Sequence, residues 1–351
     1  MLHAERSARP YGSILLAVGL LVGLFALLPP LDYRFFSAAA RAWRSGASLL
    51  YDAQAPLFFY APWSLAILVP LSLFPDRLGQ AIFNLIALAS LGWGVWALAR
   101  PLGARALALA LATPYTAAVL LLGQWDGLIV GATALAWHAI TRRSPWLLGL
   151  ALLLITTKPT NALLVVLVVL LAVRTWPWRL WARTLALPLL AFGASLGACG
   201  WDWPLRYVRF LSATPPLGYN VSLWRPEVAW PWAAIVTLGA LGWLVAVMVL
   251  QGIGGTQLAL TLTVNLLISP FLVPYHLVAT APALAVIARR DGRLGALAWA
   301  GGSAAFLAFV QGWALFPVTL YLVLVAVAAA VAPQRASPSH GQGRGDAAVY
   351  E

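Results

Sequence analysis

The feature that most constrains this chain is a succession of long apolar runs, separated by short breaks that hold most of its charged residues. A helix crosses a bilayer with roughly 20 apolar residues, so 351 residues hold about 12 spans joined by short loops. Only 9% of the residues are charged, against about 25% in an ordinary soluble domain, which excludes a soluble globular protein. We therefore predict an all-α, multi-pass transmembrane helical bundle.

The apolar runs between charged residues give the predicted positions of the spans. They lie near residues 11–31, 78–99, 106–122, 126–141, 145–157, 159–173, 184–200, 230–250, 256–274, 276–288, 294–311 and 313–332. The run 61–74 is shorter and is interrupted by prolines, so we predict a re-entrant or interfacial segment there, within the first outer loop. Just before it, polar and apolar residues from Tyr33 to Leu50 alternate with a helical period, which predicts a helix lying in the membrane interface.

No segment between the spans is long enough to form a separate soluble domain. We divide the chain into a cytoplasmic N-terminal tail (1–10), a transmembrane catalytic domain (11–332) with outer loops 32–77 and 201–229, and a disordered cytoplasmic tail (333–351). A cleaved signal peptide is the alternative for the N-terminus, but the first apolar run is long enough to span.

The few charged residues predict the orientation of the chain in the membrane. With the N-terminus inside, 14 of the 22 basic residues fall on inner segments and 8 on outer ones, as the positive-inside rule requires. Six of the ten acidic residues fall on the outer side, and they are Asp32, Asp52, Asp76, Asp126, Asp202 and Glu227. We therefore expect a multi-pass protein of a bacterial cell membrane, with both termini cytoplasmic and the active site extracytoplasmic.

Asp32 follows two prolines at the outer end of the first span. An apolar collar on one side and the interfacial helix on the other would partly desolvate its carboxylate, and such a carboxylate can act as a general base. The alternative is an ordinary N-cap for the helix that begins at Tyr33, a position that Asp favours. The spacing alone leaves both roles open.

Lys158 is the only lysine in the chain and lies between two predicted spans, just before Pro159. Proline at the first position of a helix leaves N–H groups pointing outward, and a lysine beside them makes a site for a phosphate. A lysine that reaches the lipid headgroups is the alternative. His276 lies in an irregular break between two apolar runs, where its ring could hydrogen-bond a phosphate or a sugar.

The second outer loop combines arginines with aromatic and hydrogen-bonding side chains. Arginine suits phosphate recognition, and aromatic residues beside polar groups suit sugar rings. An ordinary aromatic belt at the membrane interface is the alternative. The candidates in this loop are Arg206, Arg209, Asn220, Ser222 and Trp224.

In their order and spacing, the outer-face residues resemble glycosyltransferase family 87, the polyprenyl-phosphate-mannose-dependent mannosyltransferases of the GT-C superfamily. The resemblance rests on short pieces of sequence: Asp32, Leu50-Tyr51-Asp52, Phe59-Tyr60-Ala61-Pro62, Gly123-Gln124, Lys158-Pro159, Asn220-Val221-Ser222-Leu223, Ser269-Pro270 and Tyr275-His276. The chain departs from the family pattern at two places. It has Asp126 where the family tends to have asparagine, and Tyr275-His276 where relatives often carry a histidine pair.

This resemblance implies a GT-C-type fold and a set of site residues. It implies Asp32 as the catalytic residue, and it fits a donor phosphate bound by Lys158 and His276 with arginines of the second outer loop, Arg206 and Arg209. The residues expected to bind the sugar or the acceptor are Asp52, Tyr60, Gln124, Asp126, Asn220, Ser222, Trp224 and Tyr275.

The chemistry of the residues agrees with a lipid-linked donor, because no loop is long enough for a nucleotide-binding domain. Polyprenyl phosphate leaves as a stable anion, so one carboxylate that deprotonates the acceptor hydroxyl is sufficient for displacement with inversion. We predict transfer of a hexose, mannose, from polyprenyl phosphate to a lipid or glycan acceptor. The expected partners are the donor, the acceptor and membrane lipids. No cofactor and no nucleic acid are expected, and metal dependence stays open.

A transporter or lipid flippase is the alternative from another class. It would place ionisable groups at mid-membrane and show repeat symmetry between its halves. Here the ionisable residues gather at the outer ends of the spans, and no internal repeat is visible. A non-catalytic scaffold is the third hypothesis.

Overall fold

The computed structural model describes residues 5–46, 50–51, 58–213, 220–225, 228, 230–310 and 315–331. All regular secondary structure in these ranges is helical, which confirms the predicted all-α class. The α-helices are α1 (Glu5–Ala26), α2 (Tyr33–Arg44), α3 (Leu65–Leu71), α4 (Asp76–Leu98), α5 (Ala104–Leu111), α6 (Pro114–Leu122), α7 (Asp126–Thr141), α8 (Pro145–Ile155), α9 (Leu163–Ala172), α10 (Trp178–Cys199), α11 (Trp203–Ala213), α12 (Trp230–Gln251), α13 (Gly255–Ile268), α14 (Ala281–Arg290), α15 (Gly292–Val310) and α16 (Leu315–Val331). Short 3₁₀ turns, each beginning with proline, lie at Pro62–Ser64, Pro159–Asn161 and Pro274–Thr280.

Three of the described helices, α4, α10 and α12, are long and apolar enough to cross a bilayer. Helices α5 and α6 meet this condition only as a pair, and they are bent by 58°. The run predicted as one span at 106–122 is therefore broken, because Pro114 begins a new helix. The Thr113 hydroxyl caps this helix by accepting a hydrogen bond from the N–H of Thr116. The protein is thus a helical membrane protein, and the count of about 12 spans stays a prediction.

Helix α10 carries exposed tryptophans at both ends. Trp178 is 74% exposed at its first residue, and Trp201, which is 82% exposed, follows its last turn. A helix of 22 residues is about 33 Å long, which matches the distance between the two aromatic belts of a bilayer. The aromatic positions therefore agree with α10 as a peripheral span.

The loops 32–77 and 201–229 contain helices of their own. Helix α2 is the one predicted from Tyr33, and it buries Tyr33 and Phe36 on one face. The predicted short segment at 61–74 forms the first 3₁₀ turn and α3. Helix α11 was not expected, because Arg206 and Arg209 interrupt the apolar pattern of its sequence.

Small residues bring α4 and α7 close together. A Cβ atom at Gly127 would lie 2.6 Å from the carbonyl oxygen of Ala87, and one at Gly131 would lie 2.8 Å from the Cβ of Ser90. Glycine at both positions lets the two backbones approach, as in tightly packed membrane helices. This contact fixes the N-terminal turn of α7, where Asp126 lies.

The buried side chains form two groups. The larger one fills the bundle between α4, α7, α8, α9, α13, α14 and α16. The smaller one is aromatic and joins α2, the segment 58–71, Trp125 and the corner between α10 and α11. The second group supports the loop side of the bundle, where the candidate site residues gather.

The two ends of the bundle differ in charge. At one end α4 begins, and Asp76 binds Arg41 of α2 at 2.8 Å. At the other end α4 stops, and the guanidinium of Arg289 donates to the carbonyl of Ala99 at 2.7 Å. Arg290 lies at the same end and donates to Ala329 near the end of α16. The candidate site residues lie in the helix breaks at the first end.

Candidate active site

Asp32 lies between α1 and α2, and its carboxylate faces Gln124 rather than the start of α2. Its Oδ2 accepts a hydrogen bond of 2.6 Å from Gln124 Nε2. The side chain makes no capping hydrogen bond to α2. Asp32 therefore lies at the N-cap position of α2, but its side chain does not cap the helix and instead binds a residue 92 positions away along the chain.

Gln124 is brought to Asp32 by the turn between α6 and α7. Gly123 ends α6 in the left-handed region, with φ +71°, and a Cβ there would lie 2.9 Å from the Cβ of Tyr33. Glycine is required both by this φ and by the close approach. The other end of the Gln124 carboxamide accepts a hydrogen bond of 2.9 Å from the Tyr60 hydroxyl.

The surroundings of Asp32 act on its protonation in two directions. Partial burial raises the pKa of the carboxyl above its ordinary value, while the hydrogen bond from Gln124 and the positive charge of Lys158 lower it. Burial is the largest effect, so the pKa is raised overall. A carboxylate with a raised pKa is a stronger base than a free aspartate, and among the described residues no donor binds its second oxygen.

A buried group of three ionisable side chains lies beside this carboxylate. Lys158 Nζ is 2.9 Å from Asp126 Oδ2 and 2.9 Å from His276 Nε2. His276 Nε2 is 4.0 Å from Asp126 Oδ1. The side chains of Lys158 and Asp126 are 5% and 2% exposed, and that of His276 is fully buried. Because the charges of the lysine and the aspartate cancel, the group can remain in the interior.

Aromatic rings connect this group to Asp32. The ammonium of Lys158 lies 5.9 Å from the ring centre of Tyr60 and 5.4 Å from that of Tyr275. Both distances lie within the range of cation–π attraction. Tyr60, whose hydroxyl binds Gln124, therefore contacts both the pair formed by Asp32 and Gln124 and the buried group that contains Lys158. The sequence candidates Asp32, Tyr60, Gln124, Asp126, Lys158, Tyr275 and His276 thus lie together.

Asn220 and Ser222 lie on the segment that follows residue 219 and fasten it to residues 269–272. Asn220 Oδ1 accepts the N–H groups of Ser222 and Leu272, and its Nδ2 donates to the carbonyl of Pro270. The Ser222 hydroxyl donates to the carbonyl of Ser269 at 2.6 Å. Both side chains are buried and used in these contacts. Their predicted contact with a sugar would require this segment to rearrange, and it stays a prediction.

The arginines and the tryptophan of this loop lie in different surroundings. Arg206 donates to the carbonyl of Cys199 and lies 3.4 Å from Asp202, so it holds the corner between α10 and α11. Arg209 is exposed on α11. Trp224 is 43% exposed, and its indole donates to the carbonyl of Ile268. The predicted site residue Asp52 lies outside the described residues.

Sequence reasoning did not select Trp125, which lies between Gln124 and Asp126. It is fully buried, and its ring centre lies 5.2 Å from those of Tyr60 and Phe83. Its indole nitrogen has no hydrogen-bond partner among the described residues. The only available signal was its position inside the Gly-Gln-Trp-Asp run.

The residues that the structure describes include no group of three or more His, Cys, Asp or Glu side chains that could hold a metal ion. Asp32 and Asp126 both lie in the site, and each contacts a nitrogen of another side chain.

The sequence model of one family matches the middle of the chain. It is described as glycosyltransferase family 87, and it matches residues 58–270, more than half of the 351 residues. The chain belongs to glycosyltransferase family 87. This match confirms the resemblance that the outer-face residues indicated. No curated protein matches the sequence.

Two solved structures resemble this family 87 protein. Both are crystal structures of ArnT from Cupriavidus metallidurans, one in the apo state and one bound to undecaprenyl phosphate. The sequence identities are 18% and 17%, and the TM-scores are 0.45 and 0.42. Each match covers 93% of this chain and 76% or 77% of the ArnT chain.

Proposed function

We propose that this protein is an inverting transferase that moves a hexose, mannose, from a polyprenyl-phosphate donor to a hydroxyl group of a lipid or glycan acceptor. The observation that carries the proposal is the half-buried carboxylate of Asp32, which Gln124 holds at one oxygen. Membership in glycosyltransferase family 87 supports sugar transfer as the reaction and disfavours a transporter.

The proposed step is a single displacement. The acceptor oxygen forms a bond to C1 of the sugar while the bond from C1 to the phosphate oxygen breaks. The hydroxyl proton goes to Oδ1 of Asp32, and the electron pair of the broken bond leaves with polyprenyl phosphate. Since attack occurs opposite the leaving group, the configuration at C1 inverts. One general base of this kind contributes about 10²- to 10⁴-fold to the rate.

The donor phosphate is assigned to the neighbourhood of Lys158 and His276. An ammonium has three N–H donors, and Asp126 Oδ2 accepts from one of them. A further N–H is available for a phosphate oxygen. The predicted roles of Arg206 and Arg209 at the phosphate, and of Tyr275 and Trp224 at the sugar, stay predictions.

We also propose that the end of the bundle with the site faces away from the cytoplasm. At the opposite end, Arg289 donates to Ala99, just after α4, and Arg290 donates to Ala329, in the last turn of α16. An excess of arginine marks the cytoplasmic side of membrane proteins. Asp32 and Asp126 lie at the end without these arginines, which agrees with an extracytoplasmic site.

The experiment that tests this function uses the full chain in lipid nanodiscs. The protein is incubated with a panel of polyprenyl-phosphate sugars and a lipid extract, and the products are measured by mass spectrometry and NMR. We expect a mannosylated product, release of polyprenyl phosphate, and an anomeric configuration opposite to that of the donor. Transfer of another sugar corrects the donor, retention of configuration contradicts single displacement, and no release from any donor contradicts the proposed function.

A further inference from the structure

Gln124 connects the carboxylate of Asp32 to the hydroxyl of Tyr60. Its Nε2 donates to Asp32 Oδ2 at 2.6 Å, and its Oε1 accepts from Tyr60 at 2.9 Å. Gln124 is 2% exposed and Tyr60 is 3% exposed. The hydrogen bond from Tyr60 is therefore shielded from water, while the one to the half-buried carboxylate of Asp32 is partly shielded. Each is stronger than it would be at a surface.

Tyr60 fixes which end of the carboxamide faces Asp32. An ionised carboxylate only accepts hydrogen bonds, whereas a carboxamide donates from nitrogen and accepts at oxygen. Because the Tyr60 hydroxyl donates to Oε1, the Nε2 group must point toward Asp32. The opposite orientation would set the amide oxygen against the carboxylate and leave the Tyr60 proton without an acceptor in the interior.

Tyr60 itself is held firmly. The hydroxyl of Tyr51 donates to the Tyr60 carbonyl. The ring of Tyr60 packs against Phe36 at 4.9 Å and Trp125 at 5.2 Å between centres. A rigid tyrosine therefore directs the carboxamide, and the carboxamide directs the carboxylate.

We propose that Gln124 is a positioning residue for the base, with Tyr60 as the partner that orients it, rather than a residue that binds the sugar or the acceptor. Gln124 occupies Oδ2 of Asp32, so Oδ1 is the oxygen that takes the acceptor proton. The same hydrogen bond stabilises the ionised carboxylate against the effect of burial. This inference rests on the proposed role of Asp32 as the base.

The test compares the variant Gln124→Met, which keeps the length of the side chain but loses its hydrogen bonds, with Tyr60→Phe. Gln124→Met is expected to lower kcat by about 10- to 100-fold, the factor of one hydrogen bond to a charged group. The acidic limb of its pH–rate profile moves to higher pH by about one unit or more, because the ionised base is less stabilised. Tyr60→Phe is expected to lower kcat and to move the acidic limb to higher pH, each by a smaller amount than Gln124→Met. The kcat of the double variant is expected to be no lower than that of Gln124→Met.

Gln80→Met is the matched control. Gln80 is also a buried glutamine, and its amide donates to the carbonyls of Leu120 and Leu121 in α6 without contacting Asp32. Its loss affects folding but leaves the pH–rate profile unchanged. If Gln124→Met lowers kcat with an unmoved profile, as a purely structural change would, the inference is overturned. A rise in acceptor KM alone also overturns it and assigns Gln124 to acceptor binding.

A second readout separates this inference from the proposed function. The protonated carboxyl of Asp32 is titrated by infrared spectroscopy without substrate, and its band is assigned by its disappearance in Asp32→Asn. We expect a higher midpoint in Gln124→Met than in the wild type, and no change in Gln80→Met. An unmoved midpoint in Gln124→Met overturns the inference even if transfer is observed. A moved midpoint supports it even if the donor or the acceptor has been assigned wrongly.

Discussion

The variant Lys158→Met tests the buried ion pair at the centre of the site. It removes the ammonium that lies 2.9 Å from the carboxylate of Asp126, a side chain that is 2% exposed. Removing one member of a buried pair costs about 3–5 kcal/mol of folding free energy, because the remaining charge stays desolvated. We therefore expect a loss within that range.

The double variant Asp126→Asn/Lys158→Met removes both charges. Since no buried charge is left without a partner, its loss of stability should be smaller than that of Lys158→Met alone. The assay is reversible unfolding in mixed micelles, followed by circular dichroism. A double variant that is as unstable as Lys158→Met, or less stable, would refute the argument from burial.

The chain offers a control pair with the same geometry and different exposure. Arg41 and Asp76 are 2.8 Å apart, but their side chains are 40% and 29% exposed. Solvent screens such a pair, so Arg41→Ala should cost less than about 1 kcal/mol. Equal losses for Arg41→Ala and Lys158→Met would show that burial does not decide the strength of these pairs.

Two further predictions concern packing and pH. Gly127→Ala should lower the stability by about 1–3 kcal/mol, because its Cβ would lie 2.6 Å from the Ala87 carbonyl oxygen. At Gly239 no atom lies within 4 Å of an added Cβ, so Gly239→Ala should leave the stability unchanged or raise it by up to about 1 kcal/mol. Equal effects of the two substitutions on thermal unfolding would contradict the packing argument. The pKa of Asp32 is raised by burial, and the base acts when ionised. Activity should therefore fall as the pH drops through a value above that of a free aspartate, and a rate that stays flat into the range of a free carboxyl would contradict the role of Asp32.

Much of the helical pattern could be predicted from the apolar runs. The predicted span 126–141 coincides with α7, and 78–99 differs from α4 by two residues at its start and one at its end. Both of these helices begin at an aspartate, Asp76 and Asp126, and such a charge interrupts the apolar run before it. Helix α11 was missed because Arg206 and Arg209 break the apolar run. In the structure Arg206 donates to the carbonyl of Cys199, and Arg209 is exposed.

The grouping of the site residues was predictable from the resemblance to the family, but the contacts were not. Gln124 and Asp32 are 92 positions apart, and their meeting depends on the left-handed turn at Gly123. The pairing of Lys158 with Asp126 likewise depends on how α7 packs beside the break between α8 and α9. Such contacts arise from tertiary packing, which the local pattern of residues does not record.

The most direct test of the proposed mechanism is the rate of sugar transfer by Asp32→Asn, measured with the donor that the wild-type protein accepts. Asparagine is close in size to aspartate and can still bind the Gln124 carboxamide, so the fold should be retained. We predict a loss of about 10²- to 10⁴-fold in kcat with little change in donor KM, the contribution of one general base. A variant that transfers the sugar at the wild-type rate would contradict the account, because Asp32 would then not be the base.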